Sequence, residues 1–532
     1  MSPIAKLVRS EPVLLSVLAV VLGITAAYGS IVFRLLIVVV QKFAYGSGSD
    51  RLFSVASDLA WWHILLAPTL GGLVIGLIVY FILPERRNRG VADVIEAGAL
   101  YHGRMPFMAG LGATAVAAVS IGVGASTGRE GPVVLLGATL AGRLSKALSL
   151  GRSTALTLLG CGVASAVAAS FNAPIAGVFF ALEVVVGSYA LAAFAPVVIA
   201  SVTGTIIARI HIGDFPAFIV PDFGIVSYLE FPAFILLGLV SAAVAGVFMA
   251  STMLTEDMVK RIPAPAWTRP MIGGLAVGVI ALLFPQVLGV GYEATNLALT
   301  TSLPLWLLIG LVIAKTAATA ISIGCGFAGG VFSPSLFIGA MVGGAFGIIA
   351  GSVFPDYASS PSAYSIIGMG AVAAAVLGAP ISTILIVFEI TGDYGVTIAV
   401  MIAVAVATVV IQKIPGKSFF HWQLERRGVN INRDRLHDLL QSITARETMI
   451  DAARLRERHG GEGIMETGTE VSPGALVVGV DDNVESILMI MERHGVEHIA
   501  VIDHGEPRRV VGMVSRADIL AIHNRALVAN HD

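Results

Sequence analysis

The chain has 532 residues, 56% of them hydrophobic and only 13% charged, with a mean hydropathy of +0.87, a composition that excludes an ordinary soluble globular protein. A formal net charge of −2 and a pI near 6.6 give no basic field of the kind nucleic-acid binding needs. Cys161 and Cys325, both in apolar Gly-rich stretches, make neither a disulfide framework nor a zinc site. In chain order, Lys6 and Arg9 precede an apolar run from Pro12 to Phe33. That run is longer than the roughly 7 to 15 residues of a secretory signal core, so a retained first helix is expected. Charge-free stretches near the roughly 20 residues of a bilayer crossing follow at 60–83, 107–128, 153–182, 184–208, 231–255, 270–292, 294–314, 316–355, 357–388 and 394–412. Gly and Pro interrupt them at Gly128 to Pro132, Gly329 to Pro334 and Gly378 to Pro380, which predicts broken helices whose free backbone lines a cavity or is buried in protein. Residues 414–532 hold 32 Asp, Glu, Lys and Arg, against 36 in all of 1–413, so a soluble tail follows a polytopic, all-α membrane body.

The two halves carry the same blocks. GVGASTGREGPVVLLGA from Gly122 aligns without gaps on GCGFAGGVFSPSLFIGA from Gly324, matching Gly122, Gly124, Gly128, Pro132, Gly137 and Ala138 with Gly324, Gly326, Gly330, Pro334, Gly339 and Ala340. FNAPIAGVFFALE, ending at Glu183, matches LGAPISTILIVFE, ending at Glu389. Matched blocks in the same order indicate duplication, and an internal repeat with broken helices points to a site between the halves near the bilayer midplane.

Each first block is a Gly-rich loop entering a helix near a proline, which leaves backbone N–H groups unpaired at a helix N-terminus. Those groups and the helix dipole bind anions without any full positive charge, and two such termini aimed at one point make a site that still releases its ion. Glu130 stands in the first loop where an anion would bind. Ionised it would plug the site; protonated or swung away it would admit an anion. The plainer reading is a helix-capping Glu beside Arg129, against which stands the rarity of ionisable groups inside membranes.

GREGP at 128–132, GVFSP at 330–334 and FNAPIAGVFFALE at 171–183 resemble the CLC family of chloride channels and proton/chloride exchangers, over residues from about 12 to 428. The resemblance implies an inverted-repeat helix bundle, a homodimer with one pore per subunit, and Glu130 as the gating glutamate. It also implies chloride held by Gly128, Arg129, Glu130 and Gly131 of the first loop and by Gly330, Val331 and Phe332 of the second. Three positions depart from the family. Arg89, in Arg89-Gly90-Val91-Ala92-Asp93, stands where an anion-coordinating serine is usual; it would either attract anions at the pore or turn to the aqueous vestibule. Phe420 occupies the place of an anion-facing tyrosine, and Val184 that of the second glutamate common in exchangers. The last favours passive conduction over coupled exchange.

Several residues invite other readings. Gly124-Ala125-Ser126-Thr127-Gly128 fits the nucleophile pattern of serine hydrolases, but that motif needs a strand-to-helix elbow in a sheet. Lys315 would assist anion entry, snorkel to the surface, or pair with a carboxylate such as Glu389. Glu183 and Glu389 are expected to be caps or partners rather than transport acids.

In the tail, VVGV, VESILMIMERHG, HIAVID, VVGMVS and RADILAIHNRAL give a β-α-β-β-α pattern from about Leu476 that resembles one CBS motif, a small α/β domain. By that resemblance Ser515 and Asp518 sit where nucleotide-binding members hold a ribose, so an adenine nucleotide is one expected ligand, and a ligand-free dimerisation module the other. The expected organisation is a transmembrane domain at 1–428 with repeats at about 12–208 and 231–428, a linker or degenerate CBS half at 429–475, and the CBS motif at 476–532. The expected function is a voltage-gated, chloride-selective channel of the plasma membrane (the inner membrane in a bacterium), with a cytoplasmic tail, no metal or cofactor and no enzymatic activity. A proton/chloride exchanger is the alternative, followed by a CBS-bearing cation transporter or intramembrane hydrolase.

Overall fold

The local rules of helix ending and starting set the architecture, and they act identically in both halves. At Phe171-Asn172-Ala173-Pro174, Asn172 takes the left-handed conformation (φ 57°), Ala173 is not helical, and Pro174 opens the next helix at its first position. At Leu377-Gly378-Ala379-Pro380, Gly378 (φ 67°), Ala379 and Pro380 repeat each step. A left-handed C-terminal residue followed by a proline start is the cheapest way to end one helix and begin another within two residues.

The computed structural model describes residues 11–48, 52–189, 191–214, 218, 224–300, 303–413, 418–429, 443–450, 467–471, 475–503, 509–517 and 519. The chain divides into two compact units, Met1–Gly428 and Val429–Asp532. In the first half of the larger unit run α1 (Glu11–Tyr45), α2 (Leu52–Ser57), α3 (Trp61–Phe81), α4 (Val91–Leu100), α5 (Phe107–Gly122), α6 (Glu130–Ala147) and α7 (Arg152–Phe171). Then come α8 (Pro174–Phe180), continued by a π-helical turn over Ala181–Val186, and α9 (Leu191–Ile212). The second half holds α10 (Phe231–Arg261), α11 (Arg269–Leu283), α12 (Tyr292–Thr300), α13 (Leu305–Gly324), α14 (Phe332–Val353), α15 (Pro361–Leu377), α16 (Pro380–Thr391), α17 (Tyr394–Ile411) and α18 (Phe419–Arg426). Among the described residues nine helices are long and apolar enough to cross a membrane.

The expected spans overshoot where Gly-rich loops are as apolar as helices. The stretch 107–128 ends as a helix at Gly122, and 153–182 is cut at Asn172. Lys315, taken as a boundary between two stretches, lies inside α13, and the real break falls after Gly324. At the other extreme, α1 continues beyond Phe33 to Tyr45, carrying Arg34 within it.

The centre is built from α6, α7, α14 and α15. Every residue from Ala363 to Leu377 is buried. A Cβ on Gly137 would come within 2.2 Å of the Gly162 carbonyl, and one on Gly339 within 2.4 Å of the Gly368 carbonyl, so glycine is what lets α6 meet α7 and α14 meet α15 backbone to backbone.

Equivalent residues of the two halves bond to each other's partners. Gly128 and Gly330 form an antiparallel bridge, each N–H donating to the other's carbonyl at 2.7 and 2.8 Å. Ser322 accepts from the Ser126 N–H at 3.1 Å, while Ser120 accepts from the Ala328 N–H at 3.1 Å. Glu183 accepts from Ile381 (3.0 Å) and Ser382 (2.9 Å) at the start of α16; Glu389 accepts from Ile175 (2.8 Å) and Ala176 (2.7 Å) at the start of α8. Exchanged bonds of this kind follow from an approximate two-fold axis between repeats that run in opposite senses.

In the second unit β1 (Val477–Gly479), β2 (His498–Ile502) and β3 (Val510–Ser515) form a sheet in that order, β1 parallel and β3 antiparallel to β2, with the helix Val484–His494 crossing between β1 and β2. Of the segment expected as linker or degenerate half, described residues are tied to this sheet: the Ala445 N–H donates to Asp482, and Ile450 bridges Met513.

Candidate functional site

The two Gly-rich loops meet at Gly128 and Gly330, so the N-termini of α6 and α14 converge. The first four N–H groups of each helix lack partners within it, and both dipoles present their positive ends. The absence of side chains is structural here: a Cβ on Gly128 would lie 3.0 Å from both the Glu130 carboxylate and the Ser333 nitrogen, and one on Gly131 3.1 Å from the Gly330 Cα. Gly329, at φ 155°, faces Thr127 with room for hydrogen only. The first loop is held from outside by Tyr45, whose hydroxyl donates to the Val123 carbonyl at 2.9 Å, and by the Gly289 N–H on the Gly124 carbonyl at 3.1 Å.

Glu130 is 1% exposed and occupies the meeting point. The Tyr292 hydroxyl donates to its Oε1 at 2.5 Å, the Ser333 hydroxyl donates to its Oε2, and the Arg129 Nε stands 3.7 Å away. The carboxylate thus lies where the two helix N-termini converge, held by two hydroxyls. A cavity of about 30 Å³ on one side is lined by Arg129 and Tyr292; a vestibule of about 440 Å³ on the other reaches Gly131, Gly330 and Val331. Glu130 is the residue between Arg129, which lines the first, and Gly131, which lines the second.

Tyr292 was invisible to sequence reasoning. It opens α12, 162 residues from Glu130, and nothing in GVGYEATNLAL singles it out. Its ring lies beneath the Arg129 guanidinium, 4.5 Å away, and 4.8 Å from Phe218. Lys315 holds the turn before it: fully buried, its Nζ donates to the Val287 and Gly289 carbonyls at 3.1 and 2.9 Å and stands 5.1 Å from the Phe337 ring centroid. It neither snorkels nor pairs with Glu389, because two otherwise orphaned carbonyls lie within its reach.

The remaining candidates fall around this centre. Val331 and Phe332 begin α14; the Phe332 side chain turns to Phe171 and Phe180, leaving only its backbone toward the loop. Arg89 and Phe420 both line the vestibule, the Arg89 guanidinium 2.7 Å from Glu85 and 3.9 Å from Asp93, and Phe420 is 5% exposed. Val184 is half-buried in the π-helical turn, one residue after the capping Glu183. Ser126 is buried against the hydroxyl of Thr319 at 3.2 Å, with no general base among its hydrogen-bond partners. Ser515 is buried at the end of β3, and Asp518 lies outside the described residues.

Residues 71–412 match the family model described as voltage gated chloride channel, and residues 469–524 that of the CBS domain. The chain belongs to the voltage-gated chloride channel family. A putative chloride channel protein, ClcB-like, of Ralstonia nicotianae is 35% identical over 73% of this chain and 91% of its own. A voltage-gated ClC-type chloride channel, ClcB, of Escherichia coli is 30% identical over 76% of this chain and 97% of its own. Among solved structures, a slow cyanobacterial Cl⁻/H⁺ antiporter superposes with a TM-score of 0.69 at 24% identity, over 78% of this chain and 97% of its own, a likeness of fold. The protein is therefore a multi-pass membrane protein of that family, and not an enzyme.

Proposed function

We propose that this family member conducts chloride passively through one pore per chain, with Glu130 as the gate. One observation carries the reading: the buried Glu130 carboxylate stands where α6 and α14 begin, with its chain neighbours Arg129 and Gly131 lining the smaller cavity and the vestibule. A carboxylate at the convergence of two helix N-termini would stand in the way of chloride, so its displacement or protonation opens the path. Chloride would approach past Arg89 and Phe420 to the N–H groups near Val331 and Phe332, then past Gly128, Arg129 and Gly131. Val184, a side chain unable to carry a proton, supports uncoupled flux.

Coupled proton/chloride exchange is the second reading. The half-buried Glu183 beside Val184 and the Tyr292 hydroxyl on Glu130 favour it, as two groups able to pass a proton. Simultaneous chloride and proton fluxes from purified protein in liposomes under a chloride gradient decide: chloride flux without proton movement is expected, and uphill proton movement would establish exchange. In the same assay Glu130→Gln should give chloride flux indifferent to pH; unchanged pH dependence would remove Glu130 from the gate.

The rest of the proposal follows the family: a voltage-dependent homodimer in the plasma membrane, with the tail on the cytoplasmic side and its single CBS motif pairing across the dimer. Whether an adenine nucleotide binds there is tested by calorimetry with Ser515→Ala as control.

A further inference from the structure

The vestibule carries more guanidinium than a chloride ion can use. Arg86, Arg87 and Arg89 enter its wall from the turn before α4, Arg426 and Arg427 from the end of α18, and Arg269 with Lys260 from the facing ends of α11 and α10. Against these seven cations stand four carboxylates. Glu85 lies 3.0 Å from Arg87 and 2.7 Å from Arg89; Glu256 pairs with Lys260 at 2.6 Å; Asp257 pairs with Arg426. The fourth, Asp93, has a side chain 1% exposed and is shared: its Oδ1 lies 2.5 Å from Arg87, 3.3 Å from Arg427 and 3.9 Å from Arg89, while its Oδ2 accepts the Gly90 N–H.

Asp93 and Glu85 together engage only part of the donors of these three guanidiniums, since each has five. The Nε of Arg269 is buried in the same wall with no hydrogen-bond partner among the described residues. The turn that delivers the first three arginines puts two consecutive non-glycine residues, Glu85 (φ 63°) and Arg86 (φ 51°), in the left-handed region, a backbone cost retained where a particular side-chain placement is needed. A lone spherical chloride ion gains nothing from forked donors. A multiply charged, tetrahedral oxyanion fits both the fork geometry and a space of about 440 Å³.

We propose that this vestibule is a binding site for polyvalent oxyanions of the phosphate class, and that its occupancy closes the chloride path from that side. The binding itself is independent of the gate; the closure rests on the conduction pathway proposed above. Calorimetry of the full-length protein with pyrophosphate at low ionic strength should show one site per chain. Arg269→Gln should weaken it about tenfold, and Arg269→Lys, which keeps the charge without the fork, by less. In planar bilayers pyrophosphate should block chloride current from one face only. Absent binding, affinity unchanged in Arg269→Gln, or equal block from both faces would overturn the proposal. Saturable binding without block would leave the site standing and sink the pathway reading. Displacement of pyrophosphate by ATP would assign the site to a soluble phosphate, and displacement by short-chain phosphatidic acid alone to a lipid headgroup.

Discussion

Replacing Tyr292 by Phe removes one hydroxyl and leaves the packing of its ring under Arg129 and beside Phe218 intact. The lost bond is a buried hydroxyl donating at 2.5 Å to a carboxylate oxygen. A hydrogen bond to a charged acceptor is worth about 1.5–3 kcal/mol, which at about 1.4 kcal/mol per factor of ten shifts the balance between the closed and open forms of the proposed Glu130 gate roughly ten- to a hundredfold. Chloride flux at neutral pH should rise accordingly. Arg129, 3.7 Å from the carboxylate, and the Ser333 hydroxyl remain to hold it, which keeps the gate working rather than abolishing it. The assay is chloride efflux from liposomes at matched protein density between pH 4 and 8, with Glu130→Gln as the ungated reference. Wild-type flux in Tyr292→Phe would show that this hydroxyl does not restrain the proposed gate.

Three further outcomes follow from the same geometry. Arg89→Ser restores a small hydroxyl and removes a charge from the vestibule, so the chloride/nitrate permeability ratio from reversal potentials should change; equal ratios would place Arg89 away from the ion's path. Lys315→Met fills the space but leaves the Val287 and Gly289 carbonyls without their donor, and thermal unfolding in detergent should show a loss of about 1–3 kcal/mol, together with a flux change through the displaced Tyr292. Glu183→Ala and Glu389→Ala should each destabilise by about 1–3 kcal/mol and by similar amounts, because each strips two backbone N–H groups of their acceptor; a large effect from one alone would refute their equivalence.

The loops that build the site were legible because glycine and proline mark broken helices and because the two blocks aligned without a gap: the residues paired in sequence, Gly128 with Gly330, are paired in space. Helix boundaries were less legible, since Ala125 or Phe327 in a loop is as apolar as any helical residue, and a lone Lys315 reads as an edge when it is an anchor. Tyr292 and the shared Asp93 were beyond reach for another reason. Their partners, Glu130 in one case and Arg427 in the other, lie 162 and 334 residues away along the chain, and no local pattern records such a meeting.

The exchange of capping carboxylates between α8 and α16 bears on how such a molecule arose. Neither repeat closes its own short helix; each supplies the finishing group for its counterpart and receives the same in return. A half-length ancestor would have been an incomplete object by itself, satisfied only by a second copy lying head to tail in the same bilayer. Joining the two copies into one polypeptide then secured a fixed pairing, after which the repeats were free to diverge: where the first loop has Glu130 the second has Phe332, and the next residue, Ser333, donates to Glu130.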